Sequence, residues 1–362
     1  MEALEYKCPN CSGGIIFDST SQNLTCPYCD TSFEIDALVQ FNQSLENEKA
    51  DSYGWQDYTR ESGTGDWEEG ELDGISEFRC PSCGGEIVGN PNTVATSCVY
   101  CGNPAILMSQ LQGMYKPDYI IPFKLDKNAA KSALIKHLRF KPLLPKSFKD
   151  ENRIESLTGI YVPFWLFDCD VDASIRFKAT RTQVWSDSEY RYTRTSYYLV
   201  LRDGGMSFEM VPVDGSEKMD DEYMEAIEPF DYSQISDFKT PYLSGYIAEK
   251  YDIDAEQSKP RANARIKTSV EDIFRSTVKG YNTVVTENSN ISLHDGKIHY
   301  ALLPVWMLNT KYKDKIYSFS MNGQTGRFVG ELPVSVGRFW AWTFGLTSVF
   351  TAVASLIYLL FM

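Results

Sequence analysis

Eight of the nine cysteines fall into four CxxC pairs: Cys8-Pro-Asn-Cys11, Cys26-Pro-Tyr-Cys29, Cys80-Pro-Ser-Cys83 and Cys98-Val-Tyr-Cys101. Fourteen residues separate Cys11 from Cys26, and fourteen separate Cys83 from Cys98. The unit C-x2-C-x14-C-x2-C thus occurs twice, 72 positions apart, and CPNCSGGIIF matches CPSCGGEIVG around it. Self-similarity at a fixed offset marks an internal duplication. Each CxxC turn brings two sulfurs to one ion. Small residues after the second cysteine (Gly13, Gly14, Gly84, Gly85, Gly102) leave amides free to face the thiolates. Four thiolates suit tetrahedral Zn2+ and leave no open coordination position, so the spacing predicts two structural zinc ions. A ribbon of about 30 residues has almost no core, and metal must hold it together. The other uses of such cysteines are a disulfide framework in a secreted chain and a rubredoxin-like or iron–sulfur centre. Met1-Glu-Ala-Leu-Glu carries no signal-peptide pattern, and the doubled spacing matches zinc arithmetic. Cys169 stands alone in Trp165-Leu-Phe-Asp-Cys-Asp, where a buried, inert thiol is expected.

The other end of the chain is equally constrained. Phe339 to Met362 is a run of 24 residues without a charge. As a helix it spans about 36 Å, enough to cross a hydrocarbon core of about 30 Å. Trp340 and Trp342 lie where an aromatic belt would sit, and Arg327 and Arg338 flank that side. The positive flank predicts that the N-terminal bulk stays in the cytoplasm, a compartment that also keeps thiols reduced. The alternative is a buried core helix, but an all-round apolar helix has nothing obvious here to bury it. The reading is a tail-anchored, single-pass protein of the cell membrane.

Charge separates the chain into two parts. Residues 1–112 hold 18 acidic and 4 basic side chains, a net −14, and the remaining 250 residues balance 31 against 31. The segment 37–77 reads as a flexible acidic linker, with Asp66-Trp-Glu-Glu-Gly-Glu-Leu-Asp-Gly at its heart and Gly54, Gly63, Gly65, Gly70 and Gly74 to break any helix. Trp55, Tyr58 and Trp67 are odd in such a strip. They either dock on a partner or pack back on the ribbons.

Beyond the ribbons, strand and helix periods alternate. Tyr119-Ile-Ile-Pro-Phe-Lys-Leu reads as a strand, and Asp126 caps a helix with Ala130, Leu134 and Leu138 on one face. Gly159-Ile-Tyr-Val-Pro-Phe-Trp-Leu-Phe is a buried strand, and antiparallel strands follow, with a turn expected at Arg202-Asp-Gly-Gly. A second copy begins at Leu243, with a helix carrying Ala262, Ile266, Val270 and Phe274. In it Tyr300-Ala-Leu-Leu-Pro-Val-Trp matches the first copy, so that Pro163/Pro304 and Trp165/Trp306 lie 141 apart. The prolines suggest edges or bulges, and Asn322-Gly and Asp295-Gly read as hairpin turns. The fold class is therefore α+β: two N-terminal zinc ribbons (1–36 and 78–112), the acidic linker, a duplicated strand–helix–antiparallel-sheet domain (113–331) and one C-terminal transmembrane helix (338–362).

Enzymatic motifs do not emerge. There is no GxxxxGK[ST], no GxGxxG after a strand and no HExxH, and none of His137, His294 and His299 has an evident partner in sequence. Arg261, Arg265 and Lys267 form a basic helix face, read as solvated or salt-bridged, with anionic headgroups as the sharper option. Charge argues against nucleic acid as the ribbons' partner. No cation lies between Cys8 and Cys29 or between Cys80 and Cys101, and backbone binding depends on Lys and Arg. Two zinc tetrathiolates would take the net charge to about −18.

The order of these parts resembles a bacterial family. Two ribbons (CPNC…CPYC and CPSC…CVYC), then YVPFW and LLPVW, then one terminal span are similar to the transcription factor IIB-type zinc-ribbon membrane proteins, often labelled primosomal-helicase-like. The resemblance implies association with phage-shock-type coiled-coil and flotillin-like proteins in a membrane-stress response. The expected function is a non-enzymatic, membrane-anchored adaptor that recruits protein partners through its ribbons. A membrane-tethered nucleic-acid-binding regulator is the alternative.

Overall fold

The computed structural model describes residues 6–46, 50–59, 67–72, 75–89, 98–103, 107–109, 114–145, 157–312 and 315–361. In chain order the strands and helices are β1 (Ile16–Asp18), β2 (Asn23–Thr25), β3 (Ser32–Phe33), α1 (Ile35–Glu46), β4 (Ser52–Trp55), β5 (Ser76–Arg79), β6 (Glu86–Gly89), β7 (Leu107–Ser109) and β8 (Tyr119–Ile120). Then come α2 (Lys127–Arg139), β9 (Thr158–Ser186), β10 (Arg191–Asp214), α3 (Asp221–Ala226), β11 (Ser236–Asp237) and β12 (Ile247–Glu249). The last are α4 (Ala255–Thr277), β13 (Thr283–Tyr312), β14 (Lys315–Asn322), β15 (Phe328–Gly330) and α5 (Val336–Phe361). They form two compact units. One comprises Met1–Trp55, Cys169–Phe208 and Asn263–Gly296, and the other Gln56–Asp168, Glu209–Ala262 and Lys297–Met362.

The second unit is built around β9 and β13, which lie between β8 and β12 in the strand order. Ile160, Val162, Phe164 and Leu166 alternate along β9 and are buried in one core, and so are Ala301, Leu303, Val305 and Met307 along β13. Each of these four pairs is 141 positions apart, the offset read in the sequence. The opposite face carries Trp306 and Leu308, which pack under Ala130, Leu134 and Leu138 of α2. Both faces are thus covered, which is why these stretches read as continuous apolar runs.

The two halves trade their short strands. β8 pairs in parallel with β13 (Tyr119↔Ala301, Ile120↔Leu302), and β12 pairs in parallel with β9 (Ile247↔Ile160, Ala248↔Tyr161). The hydrogen bonds repeat the exchange. The Trp165 indole donates to the Ile253 carbonyl at 2.9 Å, and the Trp306 indole donates to the Leu125 carbonyl at 3.1 Å. The Gly215 amide donates to the Pro163 carbonyl and the Gly323 amide to the Pro304 carbonyl, both at 2.8 Å. A Cβ at Gly323 would fall 2.7 Å from the Phe123 ring, so this crossing admits only glycine.

The helices form as their sequences dictate. Asp126 accepts from the Ala129 amide at 2.7 Å and caps α2. Asp254 and Gln257 make a reciprocal box at the start of α4, with bonds of 2.8 and 3.0 Å. Ala262, Ile266, Val270 and Phe274 are the buried face of α4. α5 is 26 residues long with none of them buried, and an 18-residue stretch within it has a mean hydropathy of 2.0. Its base is tied down where Arg338 donates to the Leu144 carbonyl at 2.6 Å. The hydroxyls of Thr343, Thr347, Ser348 and Thr351 each donate to the carbonyl four residues before.

Several expectations are corrected. The segment 37–77 is not simply a linker: Ile35–Glu46 is helical and buries Leu38 and Phe41. β4 pairs in parallel with β13. The glycines all follow the helix, so they could not break it; Gly63, Gly65 and Gly74 lie outside the described residues. Gly54 belongs to β4, where a Cβ would meet the Leu293 carbonyl at 3.0 Å. No turn occurs at Arg202-Asp-Gly-Gly or at Asp295-Gly, because β10 and β13 run straight through both. Gly205 instead sits close to β9: a Cβ there would lie 3.1 Å from Asp172 Oδ1 and 3.4 Å from the Val171 carbonyl. Pro163 and Pro304 lie in the two inner strands, with their carbonyls satisfied by glycine amides.

Trp165 is 1% exposed and packs edge-on against Tyr58 and Tyr251. Trp165→Ala should cost about 3–5 kcal/mol of stability. Phe140→Ala, at a ring 80% exposed, should stay within about 0.5 kcal/mol. Denaturant unfolding in mild detergent compares the two.

Candidate metal centres

The four CxxC turns share one backbone device. The amide four residues after Cys8, Cys26, Cys80 and Cys98 returns to that cysteine's carbonyl at 2.8–2.9 Å, from Ser12, Asp30, Gly84 and Gly102. These four residues are left-handed, with φ of 62, 53, 71 and 74°. The cysteine amides in turn donate to Gly13, Thr31, Gly85 and Asn103 at 2.7–2.9 Å. Each turn therefore points two sulfurs to one side.

The sulfurs then converge in fours. Cys8 and Cys29 Sγ are 3.6 Å apart and Cys11 and Cys26 Sγ 3.4 Å; Cys80 and Cys101 are 3.7 Å apart and Cys83 and Cys98 3.6 Å. All four sulfurs of each group lie within 4.8 Å of one another. Sulfurs about 2.3 Å from a central ion form a tetrahedron with edges of about 3.8 Å, whereas a disulfide needs about 2.05 Å. The spacing fits two metal ions and not four disulfides. Donors stabilise the thiolates: the Asn10 amide reaches Cys8 Sγ at 3.4 Å, and the Thr31 hydroxyl beside Cys29 brings that thiol down to about 6. Burial pushes the Cys98 thiol up to about 12, and metal binding to such a thiol would displace its proton. Cys169 is buried and belongs to neither group.

Each ribbon stacks one tyrosine on one glycine. A Cβ on Gly13 would fall 2.5 Å from the Tyr28 ring, and one on Gly85 2.6 Å from the Tyr100 ring. Beyond that the ribbons differ. The first keeps its own three-stranded sheet, β1-β2-β3. The second joins the larger sheet through β6, which pairs antiparallel with β12 (Ala248↔Val88, Glu249↔Ile87). Asn309 donates to the Val99 and Tyr100 carbonyls at 2.6 and 2.9 Å, and Lys250 sits 3.6 Å from Glu77 and 3.4 Å from Glu86. Side chains change accordingly. Ile16 is 61% exposed, while Val88, 72 positions later, is 1% exposed.

The three aromatics singled out in the sequence sit on neither a ribbon nor a free surface. The Trp55 indole donates to Asn263 Oδ1 at 2.7 Å. Tyr58 donates to Asp118 at 2.9 Å and meets Trp165 edge-on. The Trp67 indole donates to the Met114 carbonyl at 3.2 Å and meets Phe238 edge-on. The basic helix face is salt-bridged: Arg261 to Asp214 and Asp221 at 2.9 Å each, and Lys267 to Asp51 at 2.5 Å. One grouping was missed by sequence reasoning. Asp170, His294 and Asp295 also bring ligand atoms within 4.8 Å of one another. The one sequence signal was the alternation of aspartates at 168, 170 and 172.

Glu249 on β12 lies under the second ribbon. It is 2% exposed and accepts from Ser216 at 2.6 Å. Its other oxygen lacks a well-aligned donor, although the Tyr100 hydroxyl is beside it. Burial pushes the pKa from 4.5 to about 8. The folded chain keeps a proton that the unfolded chain releases, so this contribution is full below the unfolded value and is lost as pH rises through the folded one. Glu249→Gln should flatten the fall in melting temperature between about pH 5 and 8. Cys8→Ser should remove one metal ion and leave global melting nearly unchanged. Cys80→Ser should remove the other and lower the melting temperature, because its ribbon is part of the larger sheet. Elemental analysis and thermal melting check both.

No family model matches the chain, and no solved structure matches it. The uncharacterized protein YdjG of Bacillus subtilis (strain 168) is 34% identical over 343 residues, spanning 95% of this chain and 94% of that protein. A likeness that strong along almost the full length of both means that the chain belongs to the same protein family as YdjG.

Proposed function

We propose that the chain is a non-enzymatic, single-pass membrane adaptor whose ribbons, each closed around a structural Zn2+, recruit protein partners at the cytoplasmic face of the cell membrane. One observation carries this reading: an apolar helix with no buried residue, α5, in the same chain as two closed four-cysteine groups. The helix needs a bilayer. Four sulfurs leave no coordination position for a substrate. Borderline-soft Zn2+ suits this donor set, and Arg327 and Arg338 on the N-terminal side of α5 favour a cytoplasmic bulk. Partners of the phage-shock-type and flotillin-like classes, and a role in membrane stress, follow from the family resemblance.

The first ribbon is the better docking surface. Ile16, Phe17 and Tyr28 are 61, 50 and 77% exposed. In the second ribbon the positions matching Ile16 and Tyr28 are covered by the strands that hold it. Exposed apolar side chains on a metal-stiffened ribbon are rigid anchors for a partner.

Deleting residues 336–362 should move the protein to the soluble fraction. In full-length protein, Ile16→Asp with Phe17→Asp should abolish partner recovery from detergent-solubilised membranes while both metal ions stay bound. Unchanged recovery would sink the adaptor reading.

The β9–β10 hairpin favours the second reading, a membrane-tethered nucleic-acid binder. Lys178 lies over Tyr197 at 5.6 Å, and Arg181 lies over Tyr198 and Tyr281 at 5.7 Å each. Such pairs can hold phosphate and stack on bases. Salt-dependent retention of RNA or single-stranded DNA by the full chain, lost on Arg181→Glu, would support it.

A further inference from the structure

Asp170 and Asp172 occupy alternate positions on β9, so their side chains leave one face of the strand. His294 and Asp295 are neighbours on β13. Neighbours on a regular strand point to opposite faces. Here the pairing of β13 with β4 shifts register between Leu293 and Gly296. Asp295 sits at φ 52°, a left-handed conformation that few non-glycine residues adopt. Such a bulge re-aims side chains, and it explains how two consecutive residues can serve one point. One ligand atom from each of Asp170, His294 and Asp295 lies within 4.8 Å of the other two.

The surroundings orient this group. The Ser207 hydroxyl donates to Asp170 Oδ1 at 2.5 Å. Asp172 Oδ2 is 3.9 Å from His294 Nδ1. Gly205 on β10 leaves room for the Asp172 carboxylate, which a Cβ would approach to 3.1 Å. Three carboxylates thus stand around one imidazole, a mixed nitrogen and oxygen donor set. The group is reachable from solvent, since the His294 side chain is 47% exposed.

We propose that Asp170, His294 and Asp295 form a third cation site, distinct in chemistry from the two sulfur sites, that takes a first-row divalent ion such as Mn2+ or Zn2+. The imidazole selects against Ca2+ and Mg2+, and the two carboxylates supply hard oxygens with no sulfur. Three protein ligands leave coordination positions open to water or to an oxygen of a second molecule. Asp172 stands beside the ion, and Ser207 fixes the Asp170 carboxylate.

The test uses the full chain in mild detergent with both four-cysteine groups loaded. It is titrated with Mn2+, read by the loss of the free-ion paramagnetic resonance signal, and separately with Zn2+ beyond two equivalents, read by elemental analysis after desalting. One additional ion per chain is expected in at least one titration. His294→Ala and Asp170→Asn should each weaken its binding by about tenfold or more, with the metal content of the sulfur sites and the melting temperature unchanged. Failure to take up a third ion at millimolar metal overturns the site and leaves His294 as an ion-pair partner of the carboxylates. Uptake that survives both substitutions overturns it as well.

Discussion

The exchange of short strands between the two halves is the constraint on which the larger sheet depends. β8 belongs in sequence to the first half but completes the second, and β12 does the reverse. Neither half can bury both faces of its long strand alone. The two indole bonds, Trp165 to Ile253 and Trp306 to Leu125, tie each half to the backbone of the other. Folding of this unit should therefore be cooperative, since a strand pair is complete only when residues more than 80 positions apart have met.

The same strand that closes the exchange also carries the second ribbon. β12 has β9 on one side and β6 on the other. One copy of the duplicated ribbon has thereby become part of the architecture, while the other keeps a sheet of its own. Identical cysteine spacing gives the same convergence of four sulfurs in both, yet the apolar positions around it have opposite fates. Val88 is covered and Ile16 is exposed. Duplication supplies one module to hold and another to present.

Much of this was legible in the sequence because it rests on local chemistry. Cysteine spacing fixes the sulfur clusters, an aspartate before a 3.6-period pattern fixes the start of α2, and the uncharged terminal run fixes α5. The offset of 141 residues between the two long strands was also visible. What could not be read was the length of those strands. β9, β10 and β13 have 29, 24 and 30 residues, against a usual length of about five or six. Glycine in such strands looks like a turn, because its dihedral freedom is the usual reason for its presence. At Gly205 the reason is close approach, and next to Gly296 it is a bulge, and both depend on a neighbouring strand that the local sequence does not show. Trp55, Tyr58 and Trp67 were misjudged for the same reason, since their partners Asn263, Asp118 and Met114 are distant in sequence.

The threonine and serine side chains of α5 bear on how this chain can live in lipid. Hydrocarbon offers nothing for a hydroxyl to bond, so polar groups in a span usually seek a neighbouring helix. Four hydroxyls of α5 are instead returned to carbonyls one turn earlier in their own helix. In a bilayer these four hydroxyls would need no neighbouring helix, so residues 343–351 of α5 carry little polar demand for a partner.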